Sequence, residues 1–96
     1  MNNQIIYMSS TQGKYVIGLV FETTEEAQML VIDKFPEARW MGGEAETDMF
    51  RFIFVPAYKT FHGIRLSYLF TTEEISKSEW FRAVVRPMLT ERQDVF

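Results

Sequence analysis

The stretch "FETTEEAQML" occupies Phe21–Leu30, and a closely related stretch, "LFTTEEISKS", occupies Leu69–Ser78. In each stretch a threonine precedes a glutamate by three positions. The two pairs are Thr23 with Glu26, and Thr71 with Glu74. This spacing is typical of a capping box, in which the two side chains accept hydrogen bonds from backbone N–H groups at the start of a helix. The repeat therefore predicts two helices, each beginning directly after an apolar segment.

Apolar residues continue both stretches at helical spacing. The first helix is predicted to end near Phe35, because Pro36 follows it. The second helix is predicted to carry one apolar stripe and to end or kink at Pro87, since proline disfavours helical geometry in the residue before it. That stripe consists of Ile75, Phe81, Val84, Val85 and Met88.

Segments rich in β-branched and aromatic residues precede both helices and predict strands. Gln4–Ser10 and Lys14–Phe21 form a predicted β-hairpin, and the second of these strands is apolar almost throughout, which favours a central position in a sheet. Met49–Pro56 and Gly63–Phe70 form the second predicted pair of strands. Arg39–Met41 is predicted to add a short extra strand.

The element order is therefore ββα followed by ββα. We expect an α+β two-layer sandwich, in which an antiparallel sheet of four or five strands carries both helices on one face. Residues 1–96 suit a single domain, and we expect residues 90–96 to form a tail that frays.

Composition excludes several classes of protein. No window approaches the roughly 18 to 20 apolar residues that a membrane helix needs, and the N-terminus does not resemble a secretory signal. The sequence contains no cysteine, which excludes disulfides, thiolate zinc sites and cysteine nucleophiles and fits a reducing compartment. We therefore expect a cytoplasmic protein.

Motifs of catalysis and cofactor binding are scarce. The single histidine, His62, lies in a predicted loop without an identifiable partner, and no serine lies in a nucleophile motif. Glu44, Glu46 and Asp48 alternate along the chain, but their spacing does not match a calcium-binding loop. We expect no enzymatic activity, no cofactor and no metal site.

The face of the sheet opposite the predicted helices is the most informative feature. In the strand Phe50–Val55, phenylalanines occupy one side, while Arg51, Ile53 and Val55 occupy the other. With both helices on the aromatic side, Ile53 and Leu69 lie on an uncovered face, as is typical of a contact surface. The alternative is that the C-terminal tail or residues 37–48 fold over this face.

Charge is unevenly distributed, with three Lys/Arg against eight Asp/Glu in residues 1–48 and seven against five in residues 49–96. The main hypothesis is a small acidic protein-binding module that occludes a partner's surface, such as an inhibitor, an immunity or antitoxin-like protein, or a phage-encoded modulator of its host. The predicted partner-binding residues are Trp40, Glu44, Glu46, Asp48, Arg51, Ile53, Arg65 and Leu69. A homodimer through the same face is equally compatible with this pattern.

A second hypothesis is binding of single-stranded nucleic acid by the region between Arg51 and Arg65. This region mixes cations with rings that can stack on bases. The residues concerned are Tyr58, Lys59, Phe61, His62 and Arg65. The net charge of −3 and the isoelectric point of about 5.1 argue against it, because phosphate neutralisation dominates such binding. A third hypothesis is a subunit of a larger enzyme.

Overall fold

The computed structural model of the chain describes residues 14–42, 44–61 and 63–89. Within these ranges the chain forms five strands, two α-helices, a π-helical segment and a 3-10 turn. In chain order they are β1 (Tyr15–Phe21), α1 (Thr24–Lys34), β2 (Arg39–Met41), β3 (Glu44–Glu46), β4 (Phe50–Pro56), β5 (Tyr68–Thr71), α2 (Glu73–Ser76), a π-helical segment (Phe81–Val85) and a 3-10 turn (Arg86–Met88). No helix in these ranges has the length and apolar character needed to cross a membrane.

The five strands form one mixed sheet in the order β2-β3-β4-β1-β5. The α+β class is confirmed, and the five strands agree with the predicted four or five, although β3 was not predicted. The antiparallel pairing is wrong at the centre, because β1 runs parallel to both β4 and β5. Only β2–β3 and β3–β4 are antiparallel. Both edges of β1 are thus occupied by described strands. The predicted hairpin partner Gln4–Ser10 lies outside the described residues.

The helices lie on opposite faces of the sheet, and the prediction that both share one face is wrong. Helix α1 packs through Ala27 and Val31 on the face that carries Phe52. On the other face, Ile75 and Phe81 pack in a second core. The cause is topological, because the connections β1→β4 and β4→β5 step in opposite directions across the sheet. Since such crossovers share a right-handed sense, they cover opposite faces.

The face of β1 opposite α1 is covered where Leu66 packs directly on Gly18. A Cβ atom on Gly18 would lie 2.6 Å from Cδ1 of Leu66, whose side chain is completely buried. Ile53 is the neighbour of Gly18 on β4 and is only 8% exposed, while Leu69 is half-buried. The prediction of an uncovered face is therefore wrong at Ile53. Residues of the ranges 57–61, 63–66 and 75–88 cover this face. Of residues 37–48, Ala38 and Ala45 pack in the core on the opposite face, and the predicted tail, residues 90–96, lies outside the described residues.

The first predicted capping box is confirmed and the second is displaced by one residue. Glu26 N–H donates to Thr23 Oγ1 and Thr23 N–H donates to Glu26 Oε1, both at 3.2 Å. The second cap is Thr72, whose Oγ1 accepts from Ile75 N–H at 3.1 Å. Thr71 belongs to β5, and its hydroxyl donates to the Val20 carbonyl at 2.8 Å, so it is not free to cap a helix.

The predicted second helix is interrupted. Helix α2 ends after four residues, and the hydroxyls of Ser76 and Ser78 donate to the carbonyls of Glu73 and Ile75. Such local side-chain bonds compete with helix continuation. Pro87 cannot donate a backbone hydrogen bond, which accounts for the change from π-helical to 3-10 geometry at this end of the segment.

The burial of Ile53 generates a stability test. Ile53→Glu places an unpaired carboxylate in the core, so we expect it to lower the free energy of unfolding by about 3 kcal/mol or more. Met29→Glu, on a side chain that is 66% exposed on α1, should change it by no more than about 0.5 kcal/mol. Urea unfolding of both variants measures the difference. Equally small effects would mean that the face carrying Ile53 is open to water.

Candidate binding groove

The predicted partner-binding residues do not form one surface. Trp40 is 41% exposed and lies on the face that carries α1, beside a cleft of about 130 Å³ that Gln28 also lines. Arg51 and Glu44 contact each other elsewhere, on β4 and β3. Ile53 lies in the core, as described above.

The three predicted acidic residues are paired with cations. Lys14 Nζ lies 2.9 Å from Glu46 Oε1, and Arg51 Nη2 lies 3.3 Å from Glu44 Oε1. Arg39 lies 3.6 Å from carboxylate oxygens of both Glu46 and Asp48. Three carboxylates therefore face three cations, and this part of the surface carries little net charge. No group of three or more His, Cys, Asp or Glu side chains within the described ranges is arranged to hold a metal ion.

Glu46 is the centre of this network. The hydrogen bond from Lys14 lowers the pKa of the Glu46 carboxyl below its ordinary value of 4.5, and the charges of Lys14 and Arg39 act in the same direction against partial burial. A carboxyl whose pKa is lower in the folded state than in the unfolded state stabilises the fold at pH values above its unfolded-state pKa. That stabilisation is lost as the pH falls through the lowered pKa.

Removal of this carboxylate should change how stability depends on pH. We expect Glu46→Gln to be less stable than the wild type at pH 7, with the difference disappearing as the pH falls through and below the ordinary value of 4.5. Urea midpoints measured between pH 7 and pH 3 test this. Glu22→Gln, at an exposed position outside these ion pairs, is the control and should leave the pH dependence unchanged. A constant difference across the pH range would contradict the assignment.

A larger groove lies on the opposite side of the sheet from α1, between the connection that follows β4 and the last helical segments. Its volume is about 720 Å³. The lining residues are Tyr58, Lys59, Thr60, Phe61, Gly63, Ile64, Arg65, Trp80, Ala83, Val84, Pro87 and Met88.

The two walls of the groove are held together at Trp80. Its indole Nε1 donates to the backbone carbonyl of Lys59 at 2.8 Å, and its ring centroid lies 5.5 Å from that of Tyr58. Tyr58 has a φ of 63°, a left-handed conformation that is uncommon for a residue other than glycine. Such backbone strain tends to be found at functional sites. Beneath this contact, Phe81 and Val85 pack into the second core and fix the helical wall to the sheet.

The lining combines an apolar floor with positive charge. Lys59 and Arg65 are both exposed, and no carboxylate belongs to the described lining. Ile64, Val84 and Met88 contribute aliphatic side chains to the same lining. The groove is therefore locally positive and apolar in a chain whose net charge is −3. Chemically, this arrangement suits the binding of an anionic group next to an apolar one.

Four of the five residues in the nucleic-acid hypothesis line this groove, whereas His62 lies outside the described residues. Those four are Tyr58, Lys59, Phe61 and Arg65. The helical wall was not predicted as a site, although its groove-lining residues follow helical spacing in the sequence. Its members are Trp80, Ala83, Val84 and Pro87, at the spacing i, i+3, i+4 and i+7.

Comparisons of the chain with protein-family models, with curated proteins and with solved structures each find no match.

Proposed function

We propose that the chain is a small acidic protein-binding module that acts by occluding a partner's surface, as an inhibitor, an immunity or antitoxin-like protein or a phage-encoded modulator does. The groove between Tyr58–Arg65 and Trp80–Met88 is the surface that it uses. The observation that supports this proposal is the volume of about 720 Å³ lined by aromatic, aliphatic and cationic side chains. Pockets of this size are sufficient to bury an anchoring group of a partner.

The composition and rigidity of the groove support the same function. Tryptophan, tyrosine, methionine and arginine are enriched where proteins contact each other, and all four residue types line this groove. The hydrogen bond from Trp80 to the Lys59 carbonyl fixes the largest ring before a partner arrives. A surface ordered in advance loses less conformational entropy on binding.

Binding alone is sufficient for this role, so the proposal needs neither a catalytic residue nor a cofactor. We place the role in the cytoplasm, since a chain without cysteine fits a reducing compartment. Homodimerisation stays a prediction that light scattering tests, and its interface would exclude the buried Ile53.

Binding of single-stranded nucleic acid is the second candidate. One observation favours it, because Tyr58, Phe61 and two cations line the same groove. The aliphatic side chains of Ile64 and Val84 nevertheless offer nothing to a phosphate, and the net charge of −3 opposes association with a polyanion. Apolar side chains of a protein partner complement that floor, so we favour protein binding.

Site-specific photo-cross-linking tests the proposed surface. A benzophenone amino acid at Ala83, an exposed residue of the groove, should cross-link to one protein in an extract of the native host. The same group at Met29, exposed on α1, is the control and should not capture that protein.

The added substitution Val84→Glu should reduce the cross-link at Ala83 by at least about tenfold, which corresponds to about 1.4 kcal/mol of binding free energy. A urea midpoint close to that of the wild type shows that this variant is folded. Identical cross-linking patterns from Ala83 and Met29 would refute the surface. Cross-linking to nucleic acid instead of protein would support the second candidate.

A further inference from the structure

We infer that the groove recognises an acidic segment of its partner, in which carboxylates flank one or more large apolar side chains. This inference rests on the proposed function, and it adds the chemistry of the partner.

The cations of the groove are not neutralised within the described part of the chain. Lys59 and Arg65 form no ion pair with any described residue, whereas Lys14, Arg39 and Arg51, which do not line the groove, are each paired with carboxylates. Unpaired cations at the edge of an interface attract and orient a partner of opposite charge.

Positive charge continues along the helical wall of the groove. Arg82 and Arg86 are exposed on the same segment that presents Val84 to the groove. Among the described residues, Glu79 is the one carboxylate of the neighbouring cleft, which Trp80 and Arg82 also line. Within the described segment from Glu79 to Met88, two arginines thus stand against one carboxylate.

The groove also has an apolar lining. Ile64, Val84 and Met88 line the same groove as the cations, and methionine adapts its shape to different apolar partners. An anionic ligand without apolar groups would leave this surface against water. A segment with only apolar groups would leave Lys59 and Arg65 unpaired. A segment that alternates carboxylates with leucine, phenylalanine or tryptophan satisfies both parts of the groove.

The test selects ligands without assuming their sequence. A phage-displayed library of random 12-residue peptides is panned against the immobilised full chain, and the enriched peptides are synthesised with a fluorescent label. We expect them to carry more Asp and Glu than Lys and Arg, together with at least one large apolar residue. Anisotropy titrations then give the affinity of each peptide for the wild type and for the variants.

Matched charge reversals identify the cations that matter. Lys59→Glu and Arg65→Glu should each weaken binding of the selected peptides by at least about tenfold, which is about 1.4 kcal/mol. Lys34→Glu changes the net charge by the same amount at an exposed position on α1, and it should change the affinity by less than about twofold at 150 mM salt, where charges beyond the Debye length are screened.

The outcomes separate this inference from the proposed function. If the selected peptides lose affinity for Val84→Glu but are neutral or basic, the acidic specificity is overturned. The proposal of a protein-binding groove is then retained. Absence of any peptide that depends on Val84 would overturn both. Salt-sensitive binding of a 15-residue oligothymidine that depends on Arg65, without such a peptide, would favour nucleic acid and overturn both as well.

Discussion

Strand β1 depends on neighbours at both edges and on cover over both faces, because its residues from Ile17 to Phe21 are all buried. Its parallel pairing with β4 and β5 places the two crossover connections on opposite faces. The connection between β4 and β5 reaches its position because Leu66 packs directly on the backbone at Gly18, where a side chain would collide with it. The Leu66 N–H also donates to the Met88 carbonyl at 2.7 Å. The groove is built from this connection and from the helical segment that ends at Met88.

Local features of the fold were predictable from the sequence, and the pairing of its strands was not. The capping box of Thr23, the central position of β1 and the short strand Arg39–Met41 follow from side-chain types at fixed spacing. Alternation along a strand identifies its faces but carries no information about its direction. The described residues 57–61 and 63–67 contain no helix, so the segment resembles a hairpin loop, whereas parallel strands are usually joined by longer connections. Because the segment was interpreted as a hairpin loop, the sequence wrongly predicted a two-layer architecture and an uncovered face at Ile53.

One of the two walls of the candidate site was predictable from the sequence. The mixture of rings and cations from Tyr58 to Arg65 is visible in the sequence, and it forms one wall of the groove. The other wall was assigned to the core, because Val84 and Met88, which line the groove, belong to the apolar stripe predicted for the second helix. The acidic residues near β3 were predicted as a contact surface, but their cationic partners come from distant positions and neutralise them. Such pairing becomes visible only when the strands are placed in register.

The contact between Gly18 and Leu66 is the central claim, and a double-mutant cycle measured by urea unfolding tests it most directly. In the wild-type background, Gly18→Ala should lower the free energy of unfolding by about 1–3 kcal/mol, because its Cβ atom overlaps Leu66. In the Leu66→Ala background the same substitution should be neutral or stabilising by about 0.5 kcal/mol, since alanine restricts the unfolded chain more than glycine does. Equal effects of Gly18→Ala in the two backgrounds, within about 0.5 kcal/mol, would contradict the account.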